Sequence, residues 1–270
     1  MRKLFYREFT VVACALAIFC VSGRWGAAQQ RGEKVAVIAK DATIDVAGRG
    51  AVAVELGAVL DVRGTRGNWV RVEQENGGWI SKAAIKGVAE ADTYLSKKTT
   101  ESAAEIADFH ALAQLRGEIA GWQQAVSVYD SALRTFPESA LAFVERGMVH
   151  SKLGNTQAAV ADYEKAIQLD PNMVVAINNL AWIRATGEAE FRNGQVALEL
   201  ATKAWDMTKG RDGSVLDTLA AANAELGRFA DASKWQIAAI RLSERGSASD
   251  ALYQRLKLYS DKQAFRAKSR

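Results

Sequence analysis

The chain has 270 residues, 49% of them apolar and 24% charged, with 35 Lys and Arg against 31 Asp and Glu. That length accommodates one or two globular units, and the composition excludes a disordered, collagenous or low-complexity protein. The formal net charge of +4 would favour an anionic partner, but residues 1 to 28 carry Arg2, Lys3, Arg7 and Arg24 against Glu8, which leaves about +1 for the rest. The overall basicity is therefore no argument for nucleic acid or an anionic membrane as partner.

The opening "MRKLFYREFTVVACALAIFCVSGRWGAAQQ" has basic residues, an apolar run from Val11 to Val21, and then the small residues Gly26, Ala27 and Ala28. That is the layout of a secretory signal, and the run is about half the roughly 20 residues a spanning helix requires. The expectation is a signal peptide over 1–28, cleaved near Ala28, with export to the periplasm or cell envelope and no stable membrane span afterwards. A retained anchor, or lipidation of Cys14 within "VVAC", are the competing outcomes. Cys14 and Cys20 are the only cysteines, so cleavage would leave no thiol for a disulfide, a metal or a nucleophile.

Residues 33–88 change character. Val and Ile dominate, Gly punctuates, and "WVRVEQ" alternates, which predicts short strands with "GTRGN" and "ENGG" as turns. A turn at Gly57, the strand "VLDVRGTRGNWVRV" and the closing "GGWISKAAI" together resemble a bacterial Src homology 3 domain, about one fifth of the chain. The resemblance implies a small all-β barrel. It also implies contact with cell-wall peptides or protein partners, with Trp69 and Trp79 as the ligand candidates. Packing is the competing role for both rings, because a barrel this small buries only about 60% of its unfolded surface.

Residues 89–102 are polar and lack a clear apolar period, and are read as a linker grading into a helix. From 103 to 243 the chain is Ala-rich with apolar residues recurring at three and four, the pattern of amphipathic helices. Its only two prolines, Pro137 and Pro171, stand 34 residues apart. "FVERGMVHSKLGNTQAAVADYEKAIQLDP" carries Phe143, Gly147, Gly154, Ala159, Tyr163, Ala166 and Pro171. One period earlier stand Phe109, Leu112, Ala125, Tyr129, Ala132 and Pro137, with Ala113 and Ala120 in place of two glycines. These spacings resemble the tetratricopeptide repeat, a 34-residue pair of antiparallel helices. Two looser units follow, around Leu180 to Ala204 and Leu216 to Ala239, the first with an inter-helix turn about four residues longer than usual. The resemblance implies an all-α right-handed solenoid of about four units. "DALYQRLKLYSDKQAFRAK", within 244–270, is read as a capping helix and tail, because a solenoid otherwise exposes its last stacking face.

In such a solenoid the first helices line a concave groove. Positions five and nine of each unit give His110 and Gln114, Val144 and Met148, Asn178 and Trp182, Asp217 and Ala221. The candidate contacts are His110, Gln114, Met148, Asn178, Trp182 and Asp217, suited to an extended protein or peptide partner, with packing as the competing role for Met148 and Trp182. Cations placed to clamp a terminal carboxylate are not at the matching positions. His110 and His150 belong to no triad or metal-ligand pattern, no glycine loop is followed by the Lys and Ser or Thr of a nucleotide site, and Asp162 and Glu164 are read as solvated charges. A non-catalytic scaffold without cofactor or metal is expected, with a cell-wall (peptidoglycan) binding protein as the alternative.

Overall fold

A computed structural model describes residues 34–39, 42–46, 50–73, 78–243 and 250–267. The expected signal peptide and its cleavage point lie outside the described residues.

Seven short strands come first: β1 (Lys34–Val37), β2 (Thr43–Val46), β3 (Gly50–Ala53), β4 (Val59–Arg66), β5 (Trp69–Glu73), β6 (Gly78–Ser81) and β7 (Ile85–Gly87). They form one antiparallel sheet in the order β3-β2-β6-β5-β4-β1-β7. Alternation sets its faces: Leu60 and Val62 on β4, and Val70 and Val72 on β5, point into a core shared with Val35, Val37, Ile44, Ile80 and Ile85. The expected closed barrel is corrected here, because β3 and β7 form the two open edges of the sheet. The apolar groups at the β1 end close against helices instead. Ala36, Ile38, Leu56 and Val59 share a cluster with Ala91, Leu95, Phe109 and Leu112.

The helices are α1 (Val88–Lys98), α2 (Ile106–Ala120), α3 (Trp122–Thr135), α4 (Ala140–Lys152), α5 (Thr156–Leu169), α6 (Val174–Thr186), α7 (Gly194–Thr208), α8 (Gly213–Glu225), α9 (Phe229–Ser243) and α10 (Asp250–Ser260). Most of the expected linker is thus α1. It stands on two residues one turn apart, Ala91 and Leu95, buried against α2, too few to mark a period among polar neighbours.

Helices α2 to α9 pair as four hairpins. Local chemistry sets their ends. Ser139, Asn193 and Asp212 accept backbone N–H bonds at the starts of α4, α7 and α8, and Glu105 and Asp108 form a reciprocal capping box on α2. Pro137 and Pro171 stand two residues beyond the last residues of α3 and α5, where a missing N–H prevents continuation. In the first hairpin the turn glycine is displaced by one position: α2 runs through Ala120, and Gly121 takes the positive φ of 92°. After α7 the chain turns on Lys209 and Gly210, both left-handed, in place of a proline.

Between helices of a hairpin, small residues allow close approach. Ala159 and Ala166 are fully buried beside Tyr163, and a Cβ on Gly147 would lie 2.8 Å from the Tyr163 ring. The α6–α7 connection runs over 187–193, against 153–155 between α4 and α5. It is tied down by Arg184 donating to the Phe191 carbonyl at 3.2 Å and Arg192 to the Gly187 carbonyl at 3.0 Å.

Candidate functional site

The first helices of the hairpins, α2, α4, α6 and α8, carry the residues expected to line the groove, and the structure gives them unequal surroundings. Val144 and Ala221 are buried at 2% exposure each and contribute packing. Met148 is partly buried against the α4–α6 core. With Trp182 it borders a cleft of about 680 Å³ whose other walls include Trp122, Lys152, Asn179 and Thr186. Trp122 was not expected there. It opens α3 and is covered by the Lys152 ammonium, 3.7 Å from its ring centre. Asn178 sits on α6 with its side-chain oxygen buried and without a hydrogen-bond partner among the described residues, and it is the neighbouring Asn179 that lines the cleft.

At the α2 end the site is occupied by the chain itself. His110 Nε2 lies 2.9 Å from Glu55 Oε1 of the β module, and its Nδ1 lies 2.8 Å from the Tyr129 hydroxyl and 3.4 Å from Glu145 Oε2. Gln114 reaches the same ring at 3.3 Å. Burial works against a charged imidazole, but hydrogen bonds and charge from Glu145 and Glu55 outweigh it, and His110 titrates above its usual 6.5. Burial beside Glu145 also pushes the Tyr129 phenol up. His110 therefore joins the modules, with Gln114 of the same helix bonded to its ring.

The α8 end is occupied as well. Asp217 is 8% exposed and accepts two hydrogen bonds at 2.8 Å from Arg255 of α10. The Arg255 guanidinium also stands 5.4 Å from both the Trp182 and Phe265 rings. A fixed, neutralised pair at this position has no free charge for a partner. Sequence spacing could not reveal it, since the two residues lie 38 apart.

The two tryptophans of the sheet stand away from its core. Trp69 is 48% exposed, and with Trp79, Asp45, Arg66 and Asn68 it lines a shallow cleft of about 480 Å³. Asp162, read as solvated, is buried at 4%. It accepts from Arg146 at 2.6 and 2.9 Å, and Arg146 also bonds Asp130 at 2.8 Å, so one cation ties α3, α4 and α5. Glu164 instead faces outward and pairs with Arg184 at 3.0 Å. Among the described residues no group of three His, Cys, Asp or Glu side chains is placed to hold a metal, and no helix is long and apolar enough to cross a membrane.

Stacked helical hairpins with an aromatic-lined first-helix face define a repeat solenoid of the kind that generally serves as a protein-interaction scaffold. Residues 120–177 match the tetratricopeptide repeat family model. Protein SGT1 homolog of Oryza sativa subsp. japonica is 38% identical over 81 residues, which is 29% of this chain and 21% of that protein. The chain thus spans about a fifth of the length of that curated relative. Among solved structures, the APC/C hetero-tetramer Cut9-Hcn1 is similar with a TM-score of 0.53 and 20% identity, over 64% of this chain and 33% of that one. A tetratricopeptide repeat protein from Parabacteroides merdae has a TM-score of 0.52 and 16% identity, over 65% and 68%. These likenesses establish the repeat fold of the helical part.

Proposed function

We propose that the protein is an exported, non-catalytic interaction scaffold whose concave face, at α4 and α6, holds a peptide segment of a protein partner, with the β module as a second contact. The observation that carries this reading is the open cleft between Trp122, Met148 and Trp182, with the Asn179 side chain on its wall. Aromatic walls supply apolar area, and the polar Asn179 and Thr186 on the same wall suit the backbone of an extended peptide. Two linked contacts of modest affinity gain strength through effective concentration. The test is a cross-linked pull-down from envelope extract with the chain from residue 29 onward. A partner held by the wild type and lost with Asn179→Ala plus Trp182→Ala supports the groove; retention by the double variant removes it.

One observation favours a second reading. Trp69 is half exposed at the mouth of its own cleft with Trp79 and Arg66, a surface suited to stem peptide or glycan. In that reading the Src homology 3-like module binds peptidoglycan and the repeats act as spacer. Sedimentation with purified sacculi separates the two: binding lost on Trp69→Ala and unaffected by the groove variants selects the wall-binding role.

A further inference from the structure

After α10, residues 261–267 fold back onto the helices. Lys262 takes a left-handed turn with φ 56°, Gln263 N–H donates back to the Leu258 carbonyl at 2.8 Å, and residues 263–267 then cross the first-helix face without secondary structure of their own. Three contacts seat this segment. The Phe265 ring lies 5.8 Å from the Trp182 ring at an interplanar angle of 41°. The Ala267 N–H donates to the Thr186 carbonyl at 2.9 Å, a carbonyl at the last residue of α6. Arg266 Nη1 lies 2.6 Å from Glu225 Oε2 of α8. Ala264 and Phe265 also pack against Ala220, Ala224 and Tyr259.

An aromatic ring on an aromatic wall, a main-chain hydrogen bond and a peripheral ion pair are the means by which grooves hold extended peptides. Ala267 itself borders the 680 Å³ cleft, so the seat of residues 263–267 is continuous with that cleft. We infer that residues 263–267 are a built-in occupant of the groove, and that the exchangeable partner is a peptide with an aromatic residue followed by a basic one, which displaces Phe265 and Arg266 to reach Trp182 and Glu225. This rests on the groove reading of the proposed function and adds the ligand's chemistry and the competitor it must remove. The tether keeps the tail at an effective concentration on the order of millimolar, so an external peptide meets a groove that is already satisfied.

The experiment uses the chain from residue 29 onward and a fluorescein-labelled synthetic peptide, DKQAFRA, with the sequence of residues 261–267. A chain carrying Phe265→Ala and Arg266→Ala is expected to bind the probe about 10-fold or more tightly than the wild type. Adding Trp182→Ala is expected to abolish the gain, and a probe with Ala in place of its Phe and Arg is expected not to bind. If the double variant loses its helical circular dichroism, Arg266→Glu, a change at an exposed side chain, gives the same comparison. A folded variant that binds the probe no better than wild type overturns the inference, and the tail is then only a cap. Loss of the envelope partner on Trp182→Ala together with that negative result leaves the groove reading standing. The expected probe behaviour with a partner indifferent to Trp182 leaves the tail site standing and removes the groove reading.

Discussion

At Gly147 the spacing of two helices is decided by the absence of one carbon. The residue is buried on α4, and an added Cβ would meet Cε1 and Cδ1 of Tyr163 at 2.8 and 3.0 Å and the Asp162 Cβ at 3.2 Å. The ring has little freedom to retreat, since Tyr163 is 1% exposed and its hydroxyl bonds Ser151 at 3.3 Å and Asn179 at 3.4 Å. The same burial pushes the phenol up to about 12, so it stays a neutral donor and acceptor. Gly147→Ala is expected to destabilise by about 1–3 kcal/mol, the usual cost of overpacking a filled core, read as a lower denaturation midpoint. Tyr163→Leu alone loses a ring, but combined with Gly147→Ala it relieves the clash, so the double variant should cost less than the sum of the singles. Strict additivity would show that the ring does not set the helix separation.

Between elements, one largely buried ion pair fastens α10. Arg255 and Asp217 are 13% and 12% exposed at the side chain and paired at 2.8 Å, joining α10 to α8. Removing one member of a buried pair strands the other charge, so Asp217→Ala is expected to cost about 3–5 kcal/mol. Replacing both with Leu is expected to be near neutral by the same argument, since two desolvation penalties vanish with the attraction. Thermal unfolding of the three proteins checks this, and equal losses in the single and double variants would refute it. The pair also marks how far sequence reading went. Pro137, Pro171, Gly147, Gly154 and Tyr163 were legible because period and residue type alone place them in a 34-residue unit. Arg255 and Phe265 were not, because what gives them meaning is a chain that folds back across helices entered 38 and more residues earlier. For the same reason Asp217, on a first helix, was read as an open contact although Arg255 pairs with it, and the Arg255 and Phe265 groups beside Trp182 were not foreseen. The open sheet was missed on similar grounds: β-alternation identifies strands, but whether the sheet closes on itself or on α1 and α2 depends on Ala36, Leu56 and Val59 finding Leu95 and Phe109, a non-local fact.

Over the whole molecule, the β module and the solenoid meet at the apolar cluster that joins Ala36, Leu56 and Val59 to Leu95 and Phe109, and at two further points. One is steric: Gly57, with φ 86°, sits so close to α2 that a Cβ there would lie 2.3 Å from the Ala111 carbonyl oxygen. The other is ionic and centres on His110. The groups facing its ring are Glu55 from the β module, Glu145 from α4, the Tyr129 hydroxyl from α3 and Gln114 from α2 itself. Burial opposes the charged form, but the two glutamates prevail and raise the His110 pKa above its unfolded value of 6.5. A group whose pKa is raised by folding stabilises fully below its unfolded value and loses that contribution as pH rises through the folded one. The contact is therefore expected to be firmest in mildly acidic solution and to loosen from about pH 6.5 upward, where the neutral ring can bond only one of its two glutamates as a donor. The Gly57 amide, which donates to the Val37 carbonyl at 2.9 Å beside the contact, provides a local reporter by hydrogen exchange. After correction for the intrinsic rate, its protection should fall as pH rises above about 6.5 in the wild type and stay level in His110→Gln. Protection that is flat in the wild type, or that falls equally in both proteins, would mean that His110 does not hold the modules together. The Gly57–Ala111 approach and the apolar cluster of Ala36, Leu56 and Val59 with Leu95 and Phe109 would then carry the contact.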